Sequence, residues 1–318
     1  MRIGVAGIGN MGSNHLRVLS MMKDAELAAV CDAKPELEGL ARKYGARFYK
    51  TLAKMLARER LDAVDICLPT MLHESAALEA LAAGKNVFVE KPIAHTLEAA
   101  RRVTAAAEKS GLTLMVGHVE RFNQAVRTLK EALAGERIVS ISFTRVGPVP
   151  PQTRDVGVVL DIGIHDIDLA RYISGREIRK VFCTTSGDRA LEDCAEILMV
   201  LDDGISAQLS LNWLTPFKVR TIEAITRAKA YSADLMRNEV RAYGNFRQER
   251  TPSYSTDMLP LRYTEPLFAE LLHFTECVRS GKKPLVNGRE ATAALRVAFA
   301  ALKSAGSGKL VEIGRGAD

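Results

Sequence analysis

Glu90-Lys91-Pro92 closes an apolar, strand-like run that begins at Asn86, and Asp161 and His165 stand four residues apart in a second apolar stretch. These residues are suited to proton traffic at a hydroxyl. A lysine partly withdrawn from water shifts its proton affinity readily, so Lys91 can carry a proton or orient a substrate hydroxyl. A histidine titrates near neutrality and can take a proton from a carbinol. On a helix, Asp161 and His165 share one face, and Leu160, Ile164 and Ile167 supply an apolar stripe. The bland readings are a surface charge pair before a turn proline and a structural Asp–His pair. Pro92 fixes the local backbone and can hold a cis bond.

What argues for chemistry is the set of elements that would position these groups. Arg2–Ala6 reads as a short buried strand running into Gly7-Ile8-Gly9-Asn10-Met11-Gly12, a GxGxxG turn. Gly7 permits the tight turn, Gly9 lets backbone approach a pyrophosphate, and Gly12 lets the next helix pack on the strand. With Asn10 and Met11 in the turn, the phosphates would meet unsatisfied helix N–H groups. A second apolar strand ends at Asp32, twenty residues past Gly12, where a carboxylate accepts hydrogen bonds from a free ribose 2′-hydroxyl. That favours NAD, and Lys34 nearby leaves NADP open. In an open parallel sheet ligands lie beyond the carboxyl ends of the strands. This places Pro69, Thr70, His73, Glu90 and Lys91 as candidate cofactor contacts. For Thr70 and His73 the competing reading is a helix cap and an exposed side chain. In Gly117-His118-Val119-Glu120-Arg121-Phe122-Asn123, Arg121 and Asn123 are candidates to bind substrate oxygens or to pin a hinge.

The expected fold class is α/β: an N-terminal Rossmann-type parallel sheet, then a C-terminal α+β domain with a large, open, mostly antiparallel sheet. Strands are expected at 2–6, 27–31, 63–68, 86–89 and 113–116, and helices after Gly12 and at 35–44, 74–83 and 96–109, with Thr96 as N-cap and Gly84 and Gly111 as left-handed C-terminal residues. Beyond residue 120, helices at 123–134 and 160–174 flank a strand at 139–146, alternating stretches follow at 178–187, 194–202, 205–213, 219–227 and 239–246, and helices at 266–280 and 289–304 close the chain. The domains are drawn at 1–119, for the dinucleotide, and 120–318, for substrate and oligomerisation, with a cleft between them as the expected ligand site.

Composition bounds the rest. The 318 residues are 47% hydrophobic and 26% charged, with a net charge of +6 spread along the chain. Neither disorder nor nucleic-acid binding gains from this. The 5 cysteines include no CxxC pair and no zinc-ligand spacing with the 6 histidines, so no metal is expected and the thiols read as reduced core residues. No apolar run is long enough to span a bilayer, and the first strand leaves no room for a leader; a cytoplasmic protein without a membrane partner is the expectation.

Taken together, the glycine turn, Glu90-Lys91-Pro92, the Gly117–Asn123 segment and the Asp155–Asp168 segment resemble the Gfo/Idh/MocA family of NAD(P)-dependent oxidoreductases over essentially the whole length. The resemblance implies that the Glu-Lys-Pro signature lies beside the nicotinamide and that Lys91, Asp161 and His165 form the catalytic set, with Asp161 helping to bind and orient the substrate. It implies a sugar, cyclitol or sugar-nucleotide substrate. The Gly117–Asn123 and Asp155–Asp168 segments look like the branch that oxidises the 3-hydroxyl of UDP-N-acetylglucosamine, whose diphosphate Arg121, Arg145 and Arg154 would meet. A myo-inositol or free-sugar dehydrogenase is the alternative within the family, and a non-catalytic dinucleotide-binding regulator the alternative outside it; the regulator should lack the lysine or the histidine. The family commonly associates through the open sheet, so a homodimer or homotetramer is expected, with Ser206, Gln208, Ser210 and Asn212 on its polar face. At 225–231 the chain departs from the glycine-bearing hairpin of many relatives, which leaves the local structure of 226–262 open.

Overall fold

The computed structural model describes residues 1–149, 156–187, 191–247 and 253–314. It divides into two compact units, Met1–Val119 with Glu265–Ala293 and Glu120–Thr264 with Ala294–Asp318.

The first unit carries strands β1 (Arg2–Ala6), β2 (Glu26–Cys31), β3 (Arg47–Tyr49), β4 (Ala63–Ile66), β5 (Asn86–Glu90) and β6 (Leu114–Gly117). They form a parallel sheet in the order β3-β2-β1-β4-β5-β6. The order reverses beside β1, where doubly wound sheets open a crevice for a ligand. β4 and β6 are buried along their whole length, as a sheet covered on both faces requires. The crossover helices are α1 (Asn10–Met21), α2 (Glu38–Lys43), α3 (Leu52–Arg58), α4 (His73–Ala82) and α5 (Leu97–Ser110). Thr96 caps α5 by accepting from Ala99 N at 3.1 Å, and Gly84 and Gly111 adopt φ of 72° and 66°. The expected helix at 35–44 is a 3₁₀ turn, Pro35–Leu37, followed by α2.

The second unit contains α6 (Gln124–Ala132), β7 (Ile138–Val146), α7 (Ile164–Ser174), β8 (Ile178–Ser186), β9 (Cys194–Leu201), β10 (Ser206–Asn212), β11 (Val219–Thr226), β12 (Ala230–Asp234), β13 (Glu239–Arg247) and β14 (Ser253–Met258). After α8 (Pro266–Ser280) and α9 (Gly288–Ser307), β15 (Val311–Glu312) joins the same sheet, in the order β14-β13-β12-β11-β7-β10-β9-β8-β15. Among the described residues every pairing is antiparallel except β7 with β10. Ala207, Leu209 and Leu211 of β10 are buried, whereas Ser206, Gln208, Ser210 and Asn212 are not. The β9–β10 turn places Asp203 and Gly204 at φ of 61° and 74°, the pair of left-handed residues that a tight hairpin favours. At 226–230 Thr226 does the work of the missing glycines: its Oγ1 accepts from Ala228 N at 3.1 Å and Lys229 N at 2.9 Å. None of Arg227, Ala228 and Lys229 has positive φ.

One expectation needs correcting. Helix α8, assigned by sequence to the second domain, belongs to the first unit. Its Phe274 is fully buried and meets Phe88 of β5 edge to face at 5.6 Å. Glu265, just before α8, pairs with Arg17 of α1 at 3.1 Å, and past the helix Val286 O accepts from Val116 N of β6 at 2.9 Å. An amphipathic helix carries no label for the sheet it will cover, so sequence order was a poor guide. Phe274→Ala should therefore destabilise the first unit by about 3–5 kcal/mol, read by denaturant unfolding. An unchanged midpoint would contradict this packing.

Candidate active site

In the first unit the candidate residues gather at the carboxyl ends of the strands. Gly7, with φ of 86°, donates from its N–H to Cys31 O at 2.8 Å, and a Cβ there would lie 2.7 Å from Cys67 O. A Cβ on Gly12 would lie 2.0 Å from Gly7 O, so the helix could not approach the turn. Gly9 differs: it is exposed at the N-terminus of α1, with nothing within 4 Å of a Cβ. Asn10 and Met11 are exposed beside it. Asp32 is oriented by main-chain donors, accepting from Ile8 N at Oδ2 and from Lys34 N at Oδ1, each at 2.9 Å. A glycine with open space at a helix N-terminus and an oriented carboxylate at the end of β2 suit the phosphate and ribose of a dinucleotide.

Lys91 follows β5, half-buried, and the Lys91–Pro92 bond is cis. Glu90 is buried, and its Oε2 accepts from Lys91 N at 3.2 Å. Gly117 leaves it room: a Cβ there would come 2.9 Å from Glu90 Oε1. His73 is buried rather than exposed. Its Nδ1 lies 2.8 Å from Pro92 O and its Nε2 2.7 Å from Leu68 O, so it fastens together the loops after β4 and β5. Thr70 is buried at the start of a 3₁₀ turn, Thr70–Leu72, and Pro69 is exposed.

Beneath these loops sits a residue the sequence reading passed over. His15 of α1 is fully buried, with Nδ1 2.7 Å from Asp65 Oδ2 and Nε2 3.1 Å from Glu90 Oε1. Burial pulls its proton affinity down, but the Asp65 charge and hydrogen bond outweigh this and hold it well above the ordinary imidazole value. Burial would likewise raise Glu90, yet the bond and charge of His15, with Lys91, hold its carboxyl below the usual range. The only advance signal was a histidine three residues past Gly12, on the helix that the glycine turn begins.

In the second unit Asp161 lies in a π-helical turn, Val159–Gly163, that leads into α7. The four-residue spacing to His165 is therefore not that of a regular α-helix, as expected from sequence; the wider turn is a feature frequent at functional sites. Leu160 is half-buried, Ile164 and Ile167 are buried, and Asp161 and His165 keep partial exposure. Glu192, also unforeseen, anchors the turn: its main-chain O accepts from Val158 N at 3.0 Å and its Oε1 from Val159 N at 3.2 Å.

The arginines behave differently from expectation. Arg121 is buried and grips Asp168 with Nε and Nη2 at 2.7 and 2.6 Å. Arg145 is buried and grips Asp166 at 2.9 and 2.8 Å while its Nη1 donates to Glu120 at 2.7 Å. Burial opposes both ends of this network, yet the paired charges hold the Arg145 guanidinium protonated and the Glu120 carboxyl below its usual range. Asn123 caps α6, accepting from Ala125 N at 3.0 Å. Arg121 and Arg145 are thus engaged by internal carboxylates, and Arg154 lies outside the described residues. Arg220 of β11, not anticipated, reaches Glu120 Oε1 at 3.2 Å with its side chain 35% exposed.

Comparison with known proteins identifies the family. Residues 1–118 match the oxidoreductase family with an NAD-binding Rossmann fold, and residues 126–230 match the GFO/IDH/MocA C-terminal domain. The chain belongs to the Gfo/Idh/MocA family. Like other members, it is an NAD-binding oxidoreductase. Among Gfo/Idh/MocA relatives, the myo-inositol 2-dehydrogenase of Thermotoga maritima is 30% identical, with 96% of each chain covered. The scyllo-inositol 2-dehydrogenase (NAD+) of Bacillus subtilis is 29% identical, covering 98% of this chain and 96% of the relative. The solved structure of the UDP-N-acetylglucosamine 3-dehydrogenase of Acidithiobacillus ferrooxidans superposes with a TM-score of 0.90 at 25% identity, over 96% of this chain and 98% of that one.

Two outcomes follow from the buried charges. Replacing Arg145 by Met leaves Glu120 and Asp166 without their shared cation, and should cost about 3–5 kcal/mol in unfolding free energy; a loss below the error of the measurement would show that the network is not buried in solution. The second concerns pH. His15 is held above 6.5 in the folded state, so its contribution is complete below 6.5 and disappears as pH rises through the folded value. Glu90 is held below 4.5, so its contribution is complete above 4.5 and disappears as pH falls through the folded value. The stability difference between wild type and His15→Phe should be widest between 4.5 and 6.5 and shrink toward alkaline pH. A difference independent of pH would count against the charged pair.

Proposed function

We propose that the protein is an NAD-dependent dehydrogenase of a secondary hydroxyl on a polyol, sugar or sugar nucleotide, with Lys91, Asp161 and His165 as its catalytic residues. The observation that carries the reading is Lys91 at the carboxyl edge of an NAD-binding sheet, on a main chain held by Glu90. The names of the relatives support the substrate class.

In this reading a bound NAD+ would supply the hydride-accepting chemistry. Gly9, Asn10, Met11 and Asp32 would hold its phosphates and ribose, with Pro69, Thr70 and Glu90 lining it. His165 removes the hydroxyl proton, Lys91 polarises the same oxygen, and Asp161 binds and orients the substrate. The free ribose hydroxyl suits Asp32, so NAD is preferred over NADP.

Two substrate readings compete. The TM-score of 0.90 to the UDP-N-acetylglucosamine 3-dehydrogenase favours a sugar nucleotide. The engagement of Arg121 and Arg145 by Asp168 and Asp166 favours an uncharged cyclitol or sugar, since neither guanidinium offers the open fork a diphosphate would take. We also propose self-association through the outer face of the large sheet, where Leu198 and Ile225 are exposed among polar neighbours.

NADH formation with myo-inositol, scyllo-inositol, simple sugars and UDP-N-acetylglucosamine tests the choice. Turnover of a free polyol and none of the nucleotide sugar is expected from the arginine pairing; the reverse would restore the diphosphate reading. Lys91→Met should keep NAD+ binding and lose about 10²–10⁴-fold in turnover. Unchanged turnover would remove the catalytic assignment.

A further inference from the structure

We infer that His15 is a positioning residue for Lys91: its ring joins Asp65 of β4 to Glu90 of β5 beneath the turn, and Glu90 in turn holds the main chain of Lys91. The inference rests on the proposed catalytic role of Lys91.

The geometry is specific. Each ring nitrogen faces a different carboxylate, at 2.7 Å for Asp65 and 3.1 Å for Glu90, and the ring is fully buried. A neutral imidazole has one N–H, so it can serve only one of these acceptors; both are served when both nitrogens carry hydrogen. The two carboxylates are then balanced by His15 and by the Lys91 ammonium, whose charge also acts on Glu90. Glu90 spends Oε1 on His15 and Oε2 on the N–H of Lys91.

The ring is also fixed sideways by Phe88, edge to face at 5.6 Å. On the far side of Lys91, the carbonyl of Pro92 is held by His73 at 2.8 Å. The residues immediately before and after Lys91 are therefore each bound to a buried histidine. His15 stands on α1, whose first turn presents Gly9, Asn10 and Met11. Through this one ring, the helix that offers its N–H groups to the phosphates and the turn that carries Lys91 form a single frame.

A metal-binding reading of His15, Asp65 and Cys67, whose ligand atoms lie within 4.8 Å of one another, fits less well. Burial and the Asp65 charge push the Cys67 thiol upward and so keep it protonated, and it sits 3.5 Å from Asp65 Oδ1 as a donor.

The test uses the full chain, as wild type, His15→Gln, His15→Phe and Lys91→Met, with NAD+ and either myo-inositol or UDP-N-acetylglucosamine. In the His15 variants, with rates normalised to the fraction that binds NAD+, kcat should fall about 10–100-fold. The KM for NAD+ should stay within a factor of about 3, since a positioning defect acts at the reacting centre. A purely structural His15 would lower the melting temperature and leave the normalised kcat unchanged. That result, beside an inactive Lys91→Met, overturns the inference and leaves the catalytic reading standing. A fully active Lys91→Met removes the catalytic reading and the inference together. A readout free of substrate comes from ¹⁵N-histidine NMR of the wild type near pH 8, where an unperturbed imidazole is largely neutral. Both His15 nitrogens should be protonated there. One unprotonated ring nitrogen would overturn the inference even if neither His15 variant folds.

Discussion

Asp65 and Glu90 share a buried space under the nucleotide-binding turn, where two like charges are costly unless a cation lies between them. His15 lies between them, its proton affinity held well above the ordinary imidazole value by Asp65. Its position settles much else: α1 must pack close enough to reach β4 and β5, which requires Gly12 to have no side chain against Gly7, and β6 must carry Gly117 where Glu90 needs space. The glycine turn thus answers to two demands, approach of the cofactor at Gly9 and approach of the helix at Gly12. Isolated burial of a charge is costly, and complete pairing is what makes this cluster tolerable.

The second unit solves the same problem with guanidinium groups. Arg121 with Asp168, and Arg145 with Asp166 and Glu120, join the segment before α6, strand β7 and helix α7. Fixed geometry, more than net stability, is what a buried bidentate pair supplies.

Local signals were legible in the sequence. The glycine turn, the acid at Asp32, the cap at Thr96 and the left-handed glycines depend on residues close together in the chain, so type and spacing were enough. Alternation in β10 marked its buried face for the same reason. The short strands β3 and β12 and the helix α3 are too brief to show a period, and tertiary pairing decides them. The π turn at Asp161 cannot be told from an α-helix by apolar spacing, which the two share over so few residues. The pairing of the arginines was not legible because their acidic partners lie far along the chain: an arginine committed to a buried aspartate and one open to a diphosphate are the same letter. His15 escaped notice because a histidine inside an apolar helix gives no hint of what its two nitrogens will face.

The return of α8 to the first unit has a bearing on how the chain is made. Phe88 cannot meet Phe274, nor Arg17 meet Glu265, until the stretch that forms β7 to β14 has been synthesised between them. Domains generally fold in order of synthesis, but here the parallel sheet must wait for a helix that follows most of the other unit in the chain. The nucleotide-binding unit is therefore not a module that can be severed at Val119; in biosynthesis, as in the finished molecule, its completion depends on residues 265–293.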